Sequence, residues 1–313
     1  MNSQKETHIS VMPEECIEGL QINPNGTYID MTLGMGGHTE RIAKKLKNGK
    51  VYAIDRDLDA IAFAKKRLAP YKDKVTLIHS NFSQLASIAE EQGIQGIDGI
   101  LFDLGTSSYQ LDTAERGFSY MQDAPLDMRM NREEALTAAS IVNTWDDAAL
   151  RDILYTYGEE RYAPLIVKAI LKARAVKPLE TTAELVALIE NALPQKALHD
   201  KGHPAKRVFQ ALRIAVNDEL SILPDTFKTA IDLLKPGGRF VLLAFHSIED
   251  RLCKLALKEA SEGCTCPKSF PVCVCGKLPK VRILTKKPLS ATEEELQENS
   301  RSKSAKLRIA EKL

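Results

Sequence analysis

A short glycine-rich segment with a carboxylate further along the chain carries the clearest chemical signal in these 313 residues. Gly34, Gly36 and Gly37 follow an apolar run, and His38 comes directly after them. Glycines let a backbone approach a ligand without an intervening Cβ, and an acid at the end of the next strand can accept hydrogen bonds from ribose hydroxyls. Asp55 ends the next apolar run. The pattern therefore predicts a nucleoside-binding crevice.

The spacing of these glycines argues against a dinucleotide cofactor. The turn reads G-M-G-G-H, whereas a pyrophosphate cradle needs G-x-G-x-x-G, so a nicotinamide-dependent oxidoreductase is disfavoured. For the glycines alone, a tight strand-to-helix turn without any ligand is the alternative. The position of Asp55 is what favours a ligand.

Three later segments also follow apolar runs and are expected at the same sheet edge. Phe82 either packs on an adenine face or belongs to the core. Asp103, at the tip of the fourth strand, either holds a cationic or amino group or caps the next turn. In HSIEDR, after the fifth strand, Ser247 is expected to cap the helix with Asp250 as its partner. The His, Glu, Asp and Arg side chains of HSIEDR are also candidates for a substrate-side site.

A basic segment opens the helix that precedes the fifth strand. Lys206, Arg207, Gln210 and Arg213 lie near one another at a spacing of three to four residues, which suits a phosphate-facing patch. An ordinary solvated face is the alternative. The net charge of +1 argues neither for nor against a nucleic-acid partner.

Four of the six cysteines fall in the segment CTCPKSFPVCVC. Such close thiols in a cytosolic chain suggest a metal more than disulfides. C-x-C pairs are less typical of structural zinc than C-x-x-C pairs, so zinc is possible but not expected, and a reduced, metal-free loop is the alternative. Cys16 and Cys253 are predicted to be ordinary buried thiols. The candidate ligands are Cys264, Cys266, Cys273 and Cys275.

The elements that must position these residues have an α/β order. Apolar runs alternate with helical patterns, as in a mostly parallel sheet covered by helices on both faces. Two final strands are predicted at 281–285 and 305–313, separated by a polar stretch that is predicted to be a mobile loop. A terminal antiparallel pair on an otherwise parallel sheet is typical of methyltransferases more than of dehydrogenases.

The segment between the fourth and fifth strands is far longer than a crossover requires. Its middle shows four helical patterns, in which Thr181 and Glu184 form a capping box and Asp146 caps an earlier helix. We therefore expect an inserted helical domain at 112–205, placed at the carboxyl edge of the sheet to receive a large substrate. The remaining domain comprises 1–111 and 206–313.

The chain has no apolar run long enough to span a bilayer, and its start lacks the basic-then-apolar pattern of a secretory signal. Hydrophobic residues make up 44% of the chain, which is enough for a core. A cytoplasmic protein is therefore expected, with no membrane partner.

Several ordered motifs resemble the family of bacterial ribosomal RNA small subunit methyltransferases H (MraW family). The resemblance covers nearly the whole chain and implies S-adenosylmethionine as the cofactor. It also implies a Rossmann-like class I methyltransferase sheet of seven mostly parallel strands, with an inserted helical domain. The motifs include YIDMTLGMGGHT, AIDRD, HSNF, FDLGTSSYQLD, HPAKRVFQALRIAVNDEL, LKPGGR and FHSIEDR.

The resemblance further implies methylation of N4 of cytidine 1402 in 16S rRNA, in the decoding centre of the small ribosomal subunit. A non-catalytic assembly factor that binds RNA is the alternative, and the chain is expected to be a monomer or a homodimer. Thr106 and Tyr109 stand where the family usually has valine and proline, which removes no contact residue. The residues implied to contact S-adenosylmethionine are Gly36, Gly37, His38, Asp55, Phe82, Asp103 and Gln110.

The chemistry of the reaction does not identify the side chain that acts as the catalytic proton acceptor. Cytosine N4 is a poor nucleophile because its lone pair is delocalised into the ring, so an acceptor must draw on its amino protons. DNA amino-methyltransferases use Asp/Ser-Pro-Pro-aromatic after the fourth strand, whereas this chain reads Asp-Leu-Gly-Thr-Ser-Ser. Candidate acceptors are Ser107, Ser108, His246, Glu249 and Asp250, and candidate RNA contacts are Lys206, Arg207, Arg213 and Arg251.

Overall fold

The computed structural model describes residues 10–198, 202–264, 266–267, 272 and 274–313. Its strands are β1 (Thr27–Asp30), β2 (Lys50–Asp55), β3 (Val75–His79), β4 (Ile97–Asp103), β5 (Leu234–Ala244), β6 (Val281–Ile283) and β7 (Lys306–Lys312). They form one seven-stranded sheet in the order β3-β2-β1-β4-β5-β7-β6. Strands β1 to β5 are parallel, and β7 runs antiparallel to both β5 and β6. The predicted class I methyltransferase sheet is therefore confirmed.

Helices connect most of these strands. None of the described helices is long and apolar enough to cross a bilayer. The helices are α1 (Pro13–Leu20), α2 (Gly37–Lys45), α3 (Leu58–Arg67), α4 (Leu85–Glu91), α5 (Ser108–Asp112), α6 (Ala138–Thr144), α7 (Asp147–Thr156), α8 (Ala163–Arg174), α9 (Thr182–Ala192), α10 (Gln195–Leu198), α11 (Lys206–Asn217), α12 (Leu223–Leu233), α13 (Ser247–Ser261) and α14 (Glu293–Glu298).

Consecutive residues of a strand point to opposite faces of the sheet. In the central strand β4, side chains on both faces are buried. Leu101 of β4 belongs to a cluster with α1 and α2 that includes Cys16, which is buried as predicted. Phe102 points the other way, and its ring centroid lies 5.3 Å from those of Phe227 in α12 and Phe240 in β5. Burial on two faces explains why the strands read as continuous apolar runs.

The chain divides into two compact units. The sheet unit comprises Met1–Gly105 and Ile222–Leu313, and the helical unit comprises Thr106–Ser221. The helical unit is wider than the 112–205 insert expected from the sequence. Its core takes in apolar side chains of α11, which the sequence assigned to the sheet domain, such as Val208, Phe209 and Leu212.

The four helical patterns expected in the insert are confirmed as α6 to α9. Asp146 accepts a hydrogen bond from the backbone N–H of Ala149 at 2.8 Å, so it caps α7 as predicted. Thr181 and Glu184 form the predicted capping box at the start of α9. Local signals for helix starts were therefore reliable in this part of the chain.

The prediction of a mobile loop before the last strand was wrong. This stretch holds α14 and a 3-10 helix at Ser300–Ser304. Thr292 caps α14 by accepting from the N–H of Glu295, and Glu295 Oε1 in turn accepts from the N–H of Met12 at 2.7 Å. A short polar helix lacks apolar periodicity, so its stability comes from these caps and contacts. Strand β6 is also shorter than the predicted 281–285.

A glycine in the helical unit offers a test of backbone packing. Gly117 has φ +69°, and a Cβ at this position would lie 2.3 Å from the carbonyl oxygen of Pro125. We expect Gly117→Ala to lower the free energy of unfolding by about 3 kcal/mol or more, because a left-handed backbone and a backbone clash combine. Urea unfolding followed by circular dichroism measures the loss.

Gly93→Ala is the matched control. Gly93 has φ +64°, and a Cβ there would meet nothing within 4 Å, so this variant carries only the conformational cost, about 1–2 kcal/mol. Equal losses in the two variants would contradict the clash at Gly117.

Candidate functional site

The glycine-rich segment lies between β1 and α2, as predicted. Gly34 (φ +49°) and Gly36 (φ +78°) both adopt the left-handed conformation that favours glycine. The N–H of Gly34 donates to Oδ2 of Asp55 at 2.7 Å. The N–H of Asp57 donates to Oδ1 of Asp55 at 2.9 Å. These two bonds orient the carboxylate at the end of β2 toward the glycine turn.

Two of the glycines make room for protein atoms. A Cβ at Gly37 would lie 2.0 Å from Oγ of Ser10, and a Cβ at Gly36 would lie 3.3 Å from Ala64 in α3. Any ligand contact at these positions must therefore come from backbone atoms. The first-turn N–H groups of α2 have no partner within the helix and can serve this purpose.

Asp30, at the end of β1, is an acid whose role the sequence did not suggest. Its side chain is fully buried and accepts hydrogen bonds from Thr39 Oγ1 at 2.6 Å and from the N–H of Thr32 at 3.2 Å. Burial raises the pKa of Asp30 to about 6, although these hydrogen bonds lower it. Its burial arises from the pairing of β1 with β2 and β4, which local sequence does not show.

Asp103, at the end of β4, lies next to His38. Asp103 Oδ2 is 3.5 Å from Nε2 of His38, which is buried in the first turn of α2. Burial, reinforced by the charges of Asp30 and Glu249, raises the pKa of Asp103 to about 8. Within the described residues, Oδ1 of Asp103 is buried and accepts no hydrogen bond. This acid is placed to receive a donor or a cation.

The same edge is reached by Asp55, whose pKa is raised to about 6. Burial is the main cause, the hydrogen bonds from Asp57 and Gly34 oppose it, and the negative charges of Asp57 and Asp30 reinforce it. The ends of β1, β2 and β4 therefore bring three acids to one crevice. Three carboxylates with raised pKa values form an environment that favours positive or hydrogen-bond-donating ligands.

The cap of α13 differs from the prediction. His246, not Ser247, is the N-cap residue, and Glu249, not Asp250, is its box partner. Nδ1 of His246 accepts from the N–H of Glu249 at 3.4 Å, and Nε2 of His246 is 3.1 Å from Glu249 Oε1. Glu249 Oε2 accepts from the N–H groups of Phe245 and His246. Both side chains thus hold the start of the helix.

Asp250 and Arg251 lie in the first turns of α13 with different surroundings. Asp250 pairs with Arg308 Nε at 2.6 Å and with Lys306 Nζ at 3.3 Å, both from β7. Partial burial would raise the pKa of Asp250, but these two cations hold it below its usual value. The side chain of Arg251 is exposed.

Phe82 begins a 3-10 helix directly after β3 and is half-buried. Asn81 caps this helix by accepting from the N–H of Ser83 at 3.0 Å. A half-buried ring at a strand end suits either the adenine-packing or the core alternative, so the role of Phe82 stays a prediction.

Ser107, Ser108 and Gln110 belong to the helical unit. Ser107 caps α5, its Oγ accepting from the N–H of Gln110 at 3.2 Å while Gln110 Oε1 accepts from the N–H of Ser107 at 3.1 Å. Ser108 is half-buried at the first position of this helix. The capping box gives Gln110 a structural role besides its predicted cofactor contact.

The four polar side chains expected on one face of α11 do not share one environment. Lys206 and Arg207 are exposed. Arg213 is 16% exposed and pairs with Glu219 at 2.9 Å, and Gln210 donates to the carbonyl of Tyr157. Within the helical unit, the exposed part of the predicted patch is thus Lys206 and Arg207.

Three of the four candidate metal ligands come together in the segment between α13 and β6. The Sγ atoms of Cys264, Cys266 and Cys275 all lie within 4.8 Å of one another. Cys273 lies outside the described residues. Cys253 is buried in α13, as predicted.

Comparison with known proteins assigns the chain to a family. The profile of the MraW methylase family matches residues 5–313. The chain belongs to the MraW methylase family. It is 49% identical to ribosomal RNA small subunit methyltransferase H of Brevibacillus brevis, over 98% of each chain. It is 51% identical to the protein of that name from Paenibacillus sp., and 52% identical to the one from Clostridium botulinum, covering 98% of this chain and 99% of theirs in both cases.

Membership in the MraW methylase family makes the chain a methyltransferase, with S-adenosylmethionine as its cofactor. The crevice fits this group on two observations. Asp103 Oδ1 is buried and accepts no hydrogen bond within the described part of the chain, which suits a donor or cation. Asp55 is turned toward the glycine loop at a strand end, where a ribose is bound in related α/β folds.

Proposed function

We propose that this chain transfers the methyl group of S-adenosylmethionine to N4 of cytidine 1402 in 16S rRNA, in the decoding centre of the small ribosomal subunit. The observation that carries the proposal is the acidic crevice at the ends of β1, β2 and β4, in a member of a methylase family. The names of the relatives support ribosomal RNA as the substrate. A ribosomal substrate also supports a cytoplasmic location.

Each residue of the crevice contacts a different part of the cofactor. S-adenosylmethionine supplies a methyl group that its sulfonium makes electrophilic. Asp55 accepts hydrogen bonds from the ribose hydroxyls, and the backbone of Gly36 and Gly37 approaches the ligand. Phe82 packs on the adenine. Asp103, with His38 beside it, faces the positively charged end of the molecule. Together these residues would hold the cofactor in one orientation.

The helical unit provides the remaining predicted contacts. We assign Gln110 to the cofactor and Lys206 and Arg207 to the phosphates of the RNA, since both basic side chains are exposed. The pairing of Arg213 with Glu219 makes Arg213 a weaker candidate for phosphate binding. Arg251, exposed on the sheet unit, is a further RNA contact.

We favour Ser107 and Ser108 as the acceptor for the amino protons of cytosine. His246 and Glu249 hold the start of α13, and Asp250 is paired with β7. Because these three side chains already make structural contacts, we consider Ser107 and Ser108 the better candidates for the proton acceptor. A hydroxyl oxygen has two acceptor positions, so Ser107 can accept from an amino group while it caps α5.

Radiolabelled methyl transfer tests the proposed function. We expect label in 16S rRNA when the substrate is small ribosomal subunits lacking this methyl group, and none in DNA or ribosomal protein. Subunits with uridine in place of cytidine 1402 are the matched control and should stay unlabelled. Label in the uridine subunits, or in protein or DNA, would overturn the assignment. Binding of RNA without any transfer would favour the assembly factor.

The raised pKa of Asp103 predicts a pH dependence of cofactor binding. Below about pH 8 this carboxyl is mostly protonated in the free protein, and a cationic ligand must displace its proton. Affinity for S-adenosylmethionine should therefore rise as the pH rises toward about 8, with proton release on binding. Calorimetry in two buffers of different ionisation enthalpy measures both quantities.

The variant Asp103→Asn distinguishes titration of Asp103 from titration of the ligand as the cause of this pH dependence of affinity. The variant should lose affinity at pH 8 and show a flatter profile than the wild type. The stability of the free protein changes with pH in the opposite direction from the affinity. The pKa of Asp103 is higher in the folded protein than the unfolded value of 3.8, so the free energy of unfolding falls as the pH rises toward 8. Identical pH profiles for the two proteins would exclude Asp103 as the group responsible.

A further inference from the structure

The cysteine segment between α13 and β6 bends at its first C-x-C pair. Along an extended strand, side chains two residues apart lie on the same face but about 7 Å apart. Here the chain bends at Cys266, and the N–H of Cys266 donates to Sγ of Cys264 at 3.4 Å. In this bent segment the two sulfurs of the first pair lie within 4.8 Å of each other.

Cys275 approaches the first cysteine pair across the loop. Sγ of Cys275 lies 3.7 Å from Sγ of Cys264, and the N–H of Val274 donates to Sγ of Cys266 at 3.4 Å. A disulfide needs a sulfur separation of about 2.05 Å, so the distance between Cys264 and Cys275 excludes a bond between them.

The sulfur separation matches tetrahedral coordination of zinc. With Zn–S distances of about 2.3 Å, two thiolates on one tetrahedral ion lie about 3.8 Å apart. Cys264 and Cys275 are 3.7 Å apart, and all three described sulfurs fit within 4.8 Å. Backbone N–H groups that donate to sulfur stabilise the thiolate form, which is the form that binds metal.

We propose that Cys264, Cys266 and Cys275 bind one structural zinc ion. Each thiol loses its proton to solvent as its Zn–S bond forms. A structural zinc site takes four ligands, so one further donor completes it.

A backbone hydrogen bond joins the two ends of the cysteine loop, so a bound zinc ion would act on the interior of the loop. The N–H of Lys280, just before β6, donates to the carbonyl of Ala260 in α13 at 2.7 Å. The loop is therefore closed at its base, and the thiols cross-link its interior. Cys264 and Cys275 are exposed, so hydrophobic burial contributes little there, and a metal would restrict this part of the chain.

Metal analysis of the full-length, untagged protein tests the proposal. After expression with zinc and dialysis under reducing conditions, we expect about one zinc per chain by mass spectrometry. The double variant Cys264→Ser, Cys275→Ser should contain none, whereas Cys253→Ala, which removes a buried thiol outside the segment, should keep its zinc. Cobalt added to the metal-free protein should produce thiolate-to-metal absorption only when both cysteines are present.

Two further measurements separate metal loss from misfolding. Far-ultraviolet circular dichroism and S-adenosylmethionine binding should be unchanged in the double variant, because the crevice lies at the ends of other strands. Trypsin should cut after Lys277 faster in this variant than in the zinc-bound wild type. Zinc no higher in the wild type than in the double variant, or no thiolate absorption with cobalt, would overturn the proposal.

Discussion

Asp103→Ala should reduce methyl transfer to small ribosomal subunits by about a hundredfold to a thousandfold, the range seen when one preorganised electrostatic contact is removed. Asp103 ends β4, lies 3.5 Å from His38, and has a buried oxygen that accepts no hydrogen bond within the described residues. We propose that its carboxylate orients the charged end of the cofactor. Single-turnover transfer of labelled methyl groups measures the loss.

Two variants show whether the loss comes from the site or from the fold. Asp103→Asn keeps the shape of the side chain, so it should be nearly as inactive while unfolding at a higher temperature than the wild type at pH 8, because an acid whose pKa is raised by folding is removed. Asp98→Ala removes an acid at the opposite end of β4, where it contacts Thr27 and Lys235, and should remain active. Full activity of Asp103→Ala would remove this residue from the site.

Asp55→Ala should weaken the binding of S-adenosylmethionine by a factor of about 10² to 10⁴. Two hydrogen bonds from ribose hydroxyls to a carboxylate contribute about 1.5–3 kcal/mol each, and each 1.4 kcal/mol is a factor of about ten in affinity. The variant also loses the 2.7 Å bond that ties Gly34 to the end of β2, so the glycine turn is less constrained. Isothermal titration calorimetry measures the change.

Asp57→Ala is the matched control for this variant. The backbone N–H of Asp57 still donates to Asp55, while the side-chain cap on the N–H of Asp59 is lost. We expect a stability loss of about 1 kcal/mol and little change in affinity. If Asp55→Ala and Asp57→Ala bound the cofactor equally well, the ribose assignment would be wrong.

Local patterns predicted several structural features well. The alternation of apolar runs and helical patterns indicated the sheet, and Thr181, Glu184 and Asp146 were identified as caps from their spacing alone. Patterns of this kind depend on neighbours within one or two turns, so they are visible in the sequence. The polar helix α14 was missed because it lacks apolar periodicity, although the cap at Thr292 and the acidic residues of its first turn mark its start.

The local sequence could not decide between competing residues and contacts. His246 and Glu249 form the cap expected of Ser247 and Asp250, because Asp250 pairs with two cations of β7. Gly37 looked like a ligand-facing glycine, yet its missing Cβ leaves room for Ser10. These outcomes depend on residues far away in the chain.

The sequence by itself determined the order of the elements, the placement of Asp55 and Asp103 at strand ends, and the motifs that resemble the MraW methylase family. Only the tertiary structure decided that Asp30 and Asp103 share a buried crevice, and that three thiols separated along the chain lie within 4.8 Å. The physical reason is that strand signals and helix caps act over a few residues. Burial, pKa values and metal geometry depend on which distant segments the fold brings together.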